Sequence, residues 1–323
     1  MSEARTPILP PDAKNISAAG KILHDGRLIA FPTETVYGLG ANATDETAIA
    51  RIFAAKDRPK FNPLIVHVRD AAQARDIVVF NDLTNQLTEA FWPGALTLVQ
   101  PRRNERISLL VSAGLETLAV RAPNHPVAQA LLADTALPIA APSANRAGRI
   151  SPTAAGHVVF SLPGPEDGGP EMILDGGPCR VGLESTVVDL SSGAPTLLRP
   201  GGIAAEDIEA VIGPLSAPTD NGNESPKSPG MLERHYAPDL PLRLDATEAR
   251  PGETLLAFGP DATPEDMNLS PTGDLEEAAA NLFSMIRTMD GPPFSGIAVM
   301  AVPDHGLGRA INDRLRRAAQ ADD

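Results

Sequence analysis

Cysteine is almost absent from this 323-residue chain, which contains Cys179 alone. A single thiol cannot form an internal disulfide, which suits a reducing cytosol. Cys179 is either a nucleophile or, in the simpler interpretation, a small buried thiol. No apolar run approaches the roughly 18 residues of a membrane helix, and the N-terminus lacks the apolar region of a secretory signal. We therefore expect a cytoplasmic protein without a membrane partner.

The sequence also lacks the short motifs that most often mark nucleotide, zinc or serine-hydrolase chemistry. It contains no GxxxxGK[ST] P-loop and no GxGxxG turn after a strand, so neither common phosphate-binding loop is present. HExxH, CxxC and GxSxG are missing as well. The predicted strand ends instead contain hydroxyl, amide, imidazole and cationic side chains. Such a set binds and orients charged ligands and does not indicate a covalent nucleophile.

Charge of both signs is present, but its distribution is uneven. The net charge is -14, and residues 201–323 contain 9 Lys+Arg against 21 Asp+Glu. Residues 51–150, by contrast, contain 12 Lys+Arg against 8 Asp+Glu. A strongly acidic chain is a poor candidate for broad nucleic-acid binding, which depends on neutralising many phosphates. A local basic pocket in such a protein fits a small polyanion, such as a nucleoside triphosphate.

Hydrophobic periodicity predicts an α/β protein with two domains, and 323 residues are long for a single core. Strands and helices alternate up to residue 212. Residues 214–230 then have the composition of a linker, and a β-α-β-α pattern follows. We predict a catalytic domain at 1–213, a linker segment at 214–240 and a C-terminal α/β domain at 241–323.

Polar residues converge within the stretch 31–68. Hydroxyls follow its first strand, Lys56 and Arg58 come at the end of its helix, and His67 lies within its second strand. Side chains at strand and helix ends can meet in one pocket of an α/β sheet. The stretch therefore predicts an anion site, although a lone histidine such as His67 is more often part of a core.

Each of the three cationic candidates, Lys56, Arg58 and Arg121, could bind a ligand or could have a purely structural role. Lys56 and Arg58 could grip two phosphates, or they could be solvated cations that compensate the helix dipole. Arg121 lies inside a predicted buried strand and needs a partner. A ligand carboxylate would serve, and so would a structural ion pair with Asp175 or Asp189.

Eight segments of the chain are together similar to one family. They are FPTETVYGLG, KDRPKFNPLIVH, FWPGALTLV, LAVRAP, APSANRAG, GLESTVVD, LLRPGG and, in the linker, SPGMLERHYAP. The set resembles the YrdC-type threonylcarbamoyl-AMP synthases in their long form, which has an extra C-terminal domain. This resemblance implies a twisted mixed α/β sheet with a large basic concavity, followed by a smaller, Rossmann-like α/β domain.

The resemblance also implies a reaction. Members make L-threonylcarbamoyladenylate from L-threonine, bicarbonate or CO2, and ATP, and they release pyrophosphate. The product serves the threonylcarbamoyladenosine modification of tRNA, so a tRNA threonylcarbamoyl transferase would act downstream. Mg²⁺ is expected with ATP, although the sequence indicates no protein ligand for it. Stable nucleic-acid binding is not expected.

Two groups of site residues follow from the resemblance. Those implied for ATP are Lys56, Arg58, Asn62, Thr117, Ser143, Asn145, Ser151, Arg199 and Tyr236. Those implied for threonine are Thr35, His67, Arg121, Ala141 and Ser185. None of them is a covalent nucleophile. Lys56, Arg58 and His67 would instead position the substrates at the reacting atoms. The stretch 31–68 thus spans the junction of the two groups, and residues 231–238 are expected to close the site.

Three other functions compete with this one. The concavity could bind double-stranded RNA or tRNA without turnover, although the net charge of -14 argues against it. YrdC-like domains also occur in hydrogenase-maturation carbamoyltransferases, but those proteins contain zinc-finger segments, and this chain has no cysteine cluster. A nucleotide sensor without turnover is the third alternative.

Overall fold

The structure is a computed structural model that describes residues 5–59, 61–218, 235–263 and 266–320. Within these ranges the strands form one sheet of ten strands and a second sheet of four. The first sheet mixes parallel and antiparallel pairs, whereas the pairs of the second are parallel. The predicted fold class, a mixed α/β sheet with a smaller α/β unit after it, is confirmed.

The first sheet extends from near the N-terminus to residue 199. Its strands are β1 (Ile8–Leu9), β2 (Ile29–Phe31), β3 (Gly38–Asn42), β4 (Ile65–His67), β5 (Leu96–Pro101), β6 (Thr117–Arg121), β7 (Ile139–Ala140), β8 (Ile173–Leu174), β9 (Thr186–Asp189) and β10 (Thr196–Arg199). In space they follow the order β1-β8-β2-β3-β7-β4-β6-β5-β9-β10. The helices around it are α1 (Ala13–His24), α2 (Glu46–Lys56), α3 (Ala71–Arg75), α4 (Asp82–Phe91), α5 (Pro126–Thr135), α6 (Ala155–Ser161) and α7 (Ala205–Ile212).

The second sheet has the order β11-β14-β12-β13. Its strands are β11 (Leu242–Arg243), β12 (Glu253–Ala257), β13 (Met267–Asn268) and β14 (Gly296–Val299), and its helices are α8 (Leu275–Met289) and α9 (Gly308–Ala318). The predicted linker, 214–240, includes residues 219–234, which lie outside the described residues. Across the part of the chain that is described, no helix combines the length and apolar character needed to cross a bilayer.

Helix α2 ends at a buried cationic side chain, that of Lys56. The sequence offers Thr44 or Asp45 as the N-cap of this helix, and in the structure Asp45 caps it by accepting hydrogen bonds from two backbone N–H groups of the first turn. The apolar face of α2 packs on β3, so the helix ends with Lys56 buried at 1% exposure. Asp57 then adopts a left-handed conformation, with φ 51°, which ends the helix just before Arg58.

Strand β3 is an element that the hydrophobic pattern does not predict. Its glycines weaken the strand signal, because glycine is depleted in strands. The packing requires them: a Cβ on Gly40 would lie 2.8 Å from Phe31 Cε1, and one on Gly38 would lie 3.1 Å from the Cβ of Ala141. These glycines therefore permit the close approach of β2 and the loop after β7.

The two sheets share an apolar cluster. Val36, Ile150 and Leu183 come from loops of the first sheet, and they pack with Tyr236 and with the buried faces of α8 and α9. The second sheet therefore contacts the same loops that contain the predicted site residues.

Candidate active site

A cavity of about 50 Å³ lies where β2, β4 and β6 end and where the loops after β7 and before β9 meet. Guanidinium and hydroxyl groups dominate its polar lining. The lining residues are Thr33, Thr35, Val36, Gly38, Arg58, Ile65, His67, Arg121, Ala141, Pro142, Ser143, Glu184, Ser185, Arg199, His235 and Tyr236. The stretch 31–68 thus contributes seven of these sixteen residues.

All five residues implied for threonine line this cavity, namely Thr35, His67, Arg121, Ala141 and Ser185. Strand register brings two of them together, because His67 of β4 pairs with Arg121 of β6. Arg121 Nη1 donates to Thr35 Oγ1 at 2.8 Å. The Ser185 hydroxyl lies 2.7 Å from Thr97 Oγ1. The sheet therefore assembles this group directly from its strand ends.

Arg121 has an ion-pair partner inside the protein. Its Nη2 lies 2.7 Å from Glu34 Oε1, and its Nε donates to Gly94 O at 3.1 Å. The expectation of Asp175 or Asp189 as the structural partner was wrong, because Glu34 follows β2 and reaches the guanidinium first. Both members of the pair are at most 3% exposed, and Arg121 still lines the cavity.

The nine residues implied for ATP fall into three sets. Four of them line the cavity, namely Arg58, Ser143, Arg199 and Tyr236. Four are at most 2% exposed and lie outside the lining, namely Lys56, Asn62, Asn145 and Ser151. Thr117 begins β6, at the opposite end of that strand from Arg121, and does not line the cavity. A role for Thr117 in binding ATP stays a prediction.

Lys56 is buried and holds the loop after β7. Its Nζ donates to Ser143 O at 2.6 Å and also to Asn145 O. The interpretation of Lys56 and Arg58 as solvated cations is wrong, because their exposed fractions are 1% and 8%. Burial, and then the nearby charge of Arg58, lowers the pKa of Lys56 well below that of a free lysine. A bound polyanion would favour the charged form of Lys56 and so raise its pKa again.

Two arginines place further positive charge on the cavity. Arg58 Nη2 donates to Pro63 O at 3.0 Å, and burial lowers the pKa of Arg58 to about 10, which leaves it charged at neutral pH. Arg199 Nη2 donates to Ser185 O at 2.9 Å and lies 3.3 Å from Ser185 Oγ. Arg199 therefore joins the residues implied for ATP to those implied for threonine.

A carboxylate that sequence reasoning missed lies in the same lining. Glu184 Oε1 accepts a hydrogen bond from Ser151 Oγ, and Glu184 Oε2 lies 2.9 Å from Arg314 Nε. The Ser151 hydroxyl therefore donates to Glu184 in this structure. Glu184 stands beside Ser185 in the segment GLESTVVD, and that motif was the signal that could have indicated it.

His67 is neutral at physiological pH. Burial, and then the charge of Arg121, lowers the pKa of His67 to about 3. Its ring packs edge-on against Phe31, with centroids 6.0 Å apart, as a core histidine would. Its Nδ1, however, has no hydrogen-bond partner among the described residues, although the side chain lines the cavity. The neutral imidazole therefore forms part of the cavity wall.

Other buried polar atoms near the cavity also lack a partner within the described residues. They are Asn62 Oδ1, Asn145 Oδ1, His235 Nδ1 and the Tyr236 hydroxyl. Buried polar groups are nearly always hydrogen-bonded, and each unsatisfied one costs about 1–3 kcal/mol. Their concentration around one cavity indicates a polar ligand that would supply the missing partners.

Cys179 is not a nucleophile in this environment. The residue is 4% exposed, and burial raises the pKa of its thiol far above the usual value. The reactive thiolate is therefore not populated at neutral pH. The interpretation of Cys179 as a small buried thiol accounts for both observations.

Two family profiles match consecutive parts of the chain. The Sua5/YciO/YrdC family, described as telomere recombination, matches residues 21–201. The chain belongs to this family. A second profile, the C-terminal domain of threonylcarbamoyl-AMP synthase, matches residues 203–320 and identifies the long form. The resemblance inferred from the eight sequence segments is thereby confirmed.

Relatives within the Sua5/YrdC family match nearly the whole chain. The threonylcarbamoyl-AMP synthase of Bacillus subtilis (strain 168) is 43% identical over 94% of this chain and 92% of its own length. That of Pyrococcus abyssi (strain GE5 / Orsay) is 41% identical over 94% of each chain. The crystal structure of P. abyssi Sua5 complexed with L-threonine has a TM-score of 0.86 and 38% identity, and it covers 98% of this chain and 97% of that one.

Proposed function

We propose that this protein makes L-threonylcarbamoyladenylate from L-threonine, bicarbonate or CO2, and ATP, and releases pyrophosphate. The observation that supports this most directly is one cavity in which Arg121, Arg58 and Arg199 meet beside hydroxyl groups. The full-length relatives named threonylcarbamoyl-AMP synthase support the same reaction. The product would pass, in the cytoplasm, to a transferase that modifies tRNA.

Threonine is proposed to bind among Thr35, His67, Arg121, Ala141 and Ser185. The P. abyssi relative has been crystallised with L-threonine, which supports this substrate for a chain 38% identical to it. The Arg121 guanidinium would pair with the threonine carboxylate, and the hydroxyls of Thr35 and Ser185 would accept or donate hydrogen bonds. The neutral imidazole of His67 would contact the amino acid from the cavity wall.

ATP is proposed to bind beside Arg58, Ser143 and Arg199. Both guanidinium groups are buried, so their attraction to phosphate is stronger than it would be in water. Lys56 fixes the backbone of the Ser143 loop and would add its own charge to the phosphates. The unpartnered atoms of Asn62 and Asn145 lie in the same group of residues.

The proposed reaction joins two anions. The neutral threonine amine attacks the carbon of CO2, one C=O bond opens, and the nitrogen releases one proton to solvent, which gives a carbamate anion. A carbamate oxygen then attacks the α-phosphorus of ATP in line, and the bond to the bridging oxygen breaks as pyrophosphate leaves. Arg58 and Arg199 would offset the repulsion between carbamate and phosphate. Holding both reactants in contact supplies further barrier lowering, which reaches about 7–11 kcal/mol in favourable cases. The reaction requires no enzyme nucleophile, and the single cysteine, Cys179, is not among the residues that line the cavity.

Substrate entry requires the His235–Tyr236 segment to move. The cavity measures about 50 Å³, whereas pockets for ligands of this size are about 300–1,000 Å³. His235 and Tyr236 line the cavity, and Tyr236 is 1% exposed. We therefore propose that residues 235–238 open and close over ATP; the remainder of the segment predicted to close the site, 231–234, lies outside the described residues.

Mg²⁺ is proposed to enter bound to ATP. Among the described residues, no group of three or more His, Cys, Asp or Glu side chains could hold a metal. The carboxylate in the lining, Glu184, is engaged by Arg314 and Ser151. The donor set therefore fits an ion held chiefly by phosphates and water, which is common for Mg²⁺. The ion would neutralise charge on the leaving pyrophosphate.

A pyrophosphate-release assay tests the proposal. Purified full-length chain should release pyrophosphate from ATP when threonine, bicarbonate and Mg²⁺ are all present. Omission of any one of the three, or addition of EDTA, should reduce the rate at least tenfold. Equal release without threonine would refute the proposal, and complete absence of release would favour a nucleotide sensor.

A further inference from the structure

The largest fully buried side chain among the described residues belongs to α9 of the second sheet. Arg314 is 1% exposed, and a charged residue is rarely buried to this extent unless it is paired. Its Nε lies 2.9 Å from Glu184 Oε2, and its Nη1 donates to Pro200 O at 2.8 Å and to Asp313 Oδ2 at 2.7 Å. A helix of the C-terminal part thus reaches the wall of the proposed active site.

Glu184 connects Arg314 to the cavity. It lines the cavity, and its second carboxylate oxygen accepts the hydrogen bond of Ser151. Arg314 also lies over the Tyr236 ring, with its Cζ 5.2 Å from the ring centroid. Tyr236 in turn stacks on Phe283 of α8, with centroids 5.4 Å apart. One guanidinium therefore contacts both the cavity wall and the segment that covers it.

The loop that contains Glu184 is held between the two sheets. Gly182 has φ +73°, and a Cβ at this position would lie 2.5 Å from Ala279 O and from Ala280 Cα of helix α8. Leu183 is fully buried in the apolar cluster that the two sheets share. Displacement of α8 or α9 would therefore displace the loop, which also contains Ser185.

The charge of Glu184 needs a counter-charge, because its cavity is proposed to bind anions. Burial alone would raise the pKa of Glu184, but Arg314, then Arg199 and the Ser151 hydrogen bond, outweigh burial and keep the pKa below that of a free glutamate. Without Arg314, a buried carboxylate would stand beside the phosphates and repel them. The charged and titratable groups that interact with Glu184 are Arg199, His235, Tyr236 and Arg314, and Asp313 in turn pairs with Arg314.

We propose that Arg314 is a positioning residue of the substrate cavity, through which the second sheet orients Glu184, Ser151 and Tyr236. The proposal rests on the proposed function, since it assigns ATP to that cavity. Arg314 does not line the cavity; it acts by neutralising Glu184 and by fixing the loop and the covering segment. The C-terminal part of the chain is then a component of the active site.

Arg314→Met in the full-length chain tests the proposal, with Arg309→Met as the matched control. Arg309 lies on the same helix and forms an ion pair with Glu206, but its side chain is 47% exposed and is not part of the lining. Calorimetric titration with ATP should show at least tenfold weaker binding for Arg314→Met and less than twofold change for Arg309→Met. Both variants are first checked for a cooperative thermal transition.

A pH series separates positioning by charge from a general loss of structure. In wild type, Arg314 and Arg199 together lower the pKa of Glu184 against the effect of burial. In Arg314→Met only Arg199 remains, so the pKa of Glu184 should rise and the carboxylate should take up a proton near neutral pH. The deficit in ATP affinity, taken relative to wild type at each pH, should therefore shrink at least threefold from pH 8 to pH 6, whereas Arg309→Met should keep a constant ratio to wild type. A purely structural defect would leave the deficit constant or enlarge it at pH 6.

The double variant Glu184→Gln/Arg314→Met completes the test and covers a failure of Arg314→Met to fold. Removing both charges should restore ATP affinity to within about threefold of Glu184→Gln alone, because no unpaired buried carboxylate remains. Equal ATP affinity in wild type and Arg314→Met would overturn the inference. If wild-type protein binds no ATP and releases no pyrophosphate, the proposed function fails instead.

Discussion

Lys56 is a buried lysine whose described hydrogen-bond acceptors are two backbone carbonyls. Its burial and the neighbouring Arg58 lower the pKa of Lys56. Part of the lysine population is then neutral in the free protein at alkaline pH. A triphosphate beside it would favour the charged form and raise the pKa again.

Nucleotide binding should therefore be coupled to proton uptake by Lys56. We expect a net uptake that approaches about one proton per ATP as the pH rises above the lowered pKa of the free protein, with affinity falling over the same range. Calorimetric titrations in buffers with different ionisation enthalpies measure this number. Lys56→Met should abolish the uptake, and an unchanged uptake in that variant would assign the proton to another group.

Glu34 balances the charge of Arg121 beneath the proposed threonine site. Glu34→Gln keeps the shape of the side chain but leaves a buried, uncompensated guanidinium. We expect the free energy of unfolding to fall by about 3 kcal/mol, the cost typical of breaking a buried ion pair from one side. Urea denaturation of wild type and variant measures this loss.

Threonine should stabilise Glu34→Gln more than it stabilises the wild type, because its carboxylate would replace the missing charge. Thermal melts compare the two proteins without threonine and at one fixed threonine concentration, about ten times the wild-type dissociation constant, with ATP omitted. A smaller threonine effect in the variant would contradict the placement of the carboxylate at Arg121.

The covering segment is the element whose role is easiest to separate from stability. The Tyr236 hydroxyl is buried and makes no hydrogen bond to any of the described residues. Tyr236→Phe should leave the free energy of unfolding within about 0.5 kcal/mol of wild type. It should weaken ATP binding by about 1 kcal/mol, or roughly fivefold, if ATP supplies the missing partner.

Urea denaturation measures the free energy of unfolding of Tyr236→Phe, and calorimetric titration measures its ATP affinity independently. Tyr236→Ala serves as the contrast, because it also removes the stacking on Phe283 and should lower both stability and affinity. Unchanged ATP affinity in Tyr236→Phe would show that the hydroxyl does not face the nucleotide.

Elements with strong local signals were predictable from the sequence, and elements defined by tertiary packing were not. The Asp45 cap and the amphipathic pattern located α2, and the apolar run located β4. Strand β3 escaped because its glycines serve close packing and carry no strand signal. The two-residue strands β11 and β13 are defined by their pairing partners, which no local pattern reveals.

The candidate site likewise contains residues that the sequence motifs indicate and residues whose roles only tertiary contacts show. The eight segments brought Arg121, His67 and Ser185 to attention, and the structure places all three in one lining. Glu34 and Glu184 were within quoted segments, yet their roles depend on Arg121 and Arg314, which are distant in sequence. Long-range ion pairs of this kind leave no spacing pattern, so only the folded chain shows them.

The molecule as a whole should lose stability in acid through its buried histidines. Burial lowers the pKa of His67 and His235 to about 3 and that of His157 to about 4, against about 6.5 in the unfolded chain. The unfolded state therefore binds more protons below pH 6.5. Stability is retained above that pH and is lost progressively as the pH falls towards 3.

Each fully buried histidine should contribute a loss of about 2 kcal/mol by pH 5. Urea denaturation at pH 7.5, 6 and 5 measures the effect, and His67→Asn should reduce the slope of unfolding free energy against pH. A free energy of unfolding that rises between pH 7.5 and 5 would contradict the burial of neutral histidines.

The central claim is that one cavity joins a threonine carbamate to the α-phosphate of ATP. The most direct measurement is mass spectrometry of the nucleotide product formed from ATP, L-threonine and ¹³C-bicarbonate, quenched within seconds. The account predicts an adenylate that contains both the threonine mass and one ¹³C atom, formed in equal amount to pyrophosphate and strongly reduced in Arg121→Met. Formation of ADP, or of AMP that never passes through a labelled adenylate, would contradict it.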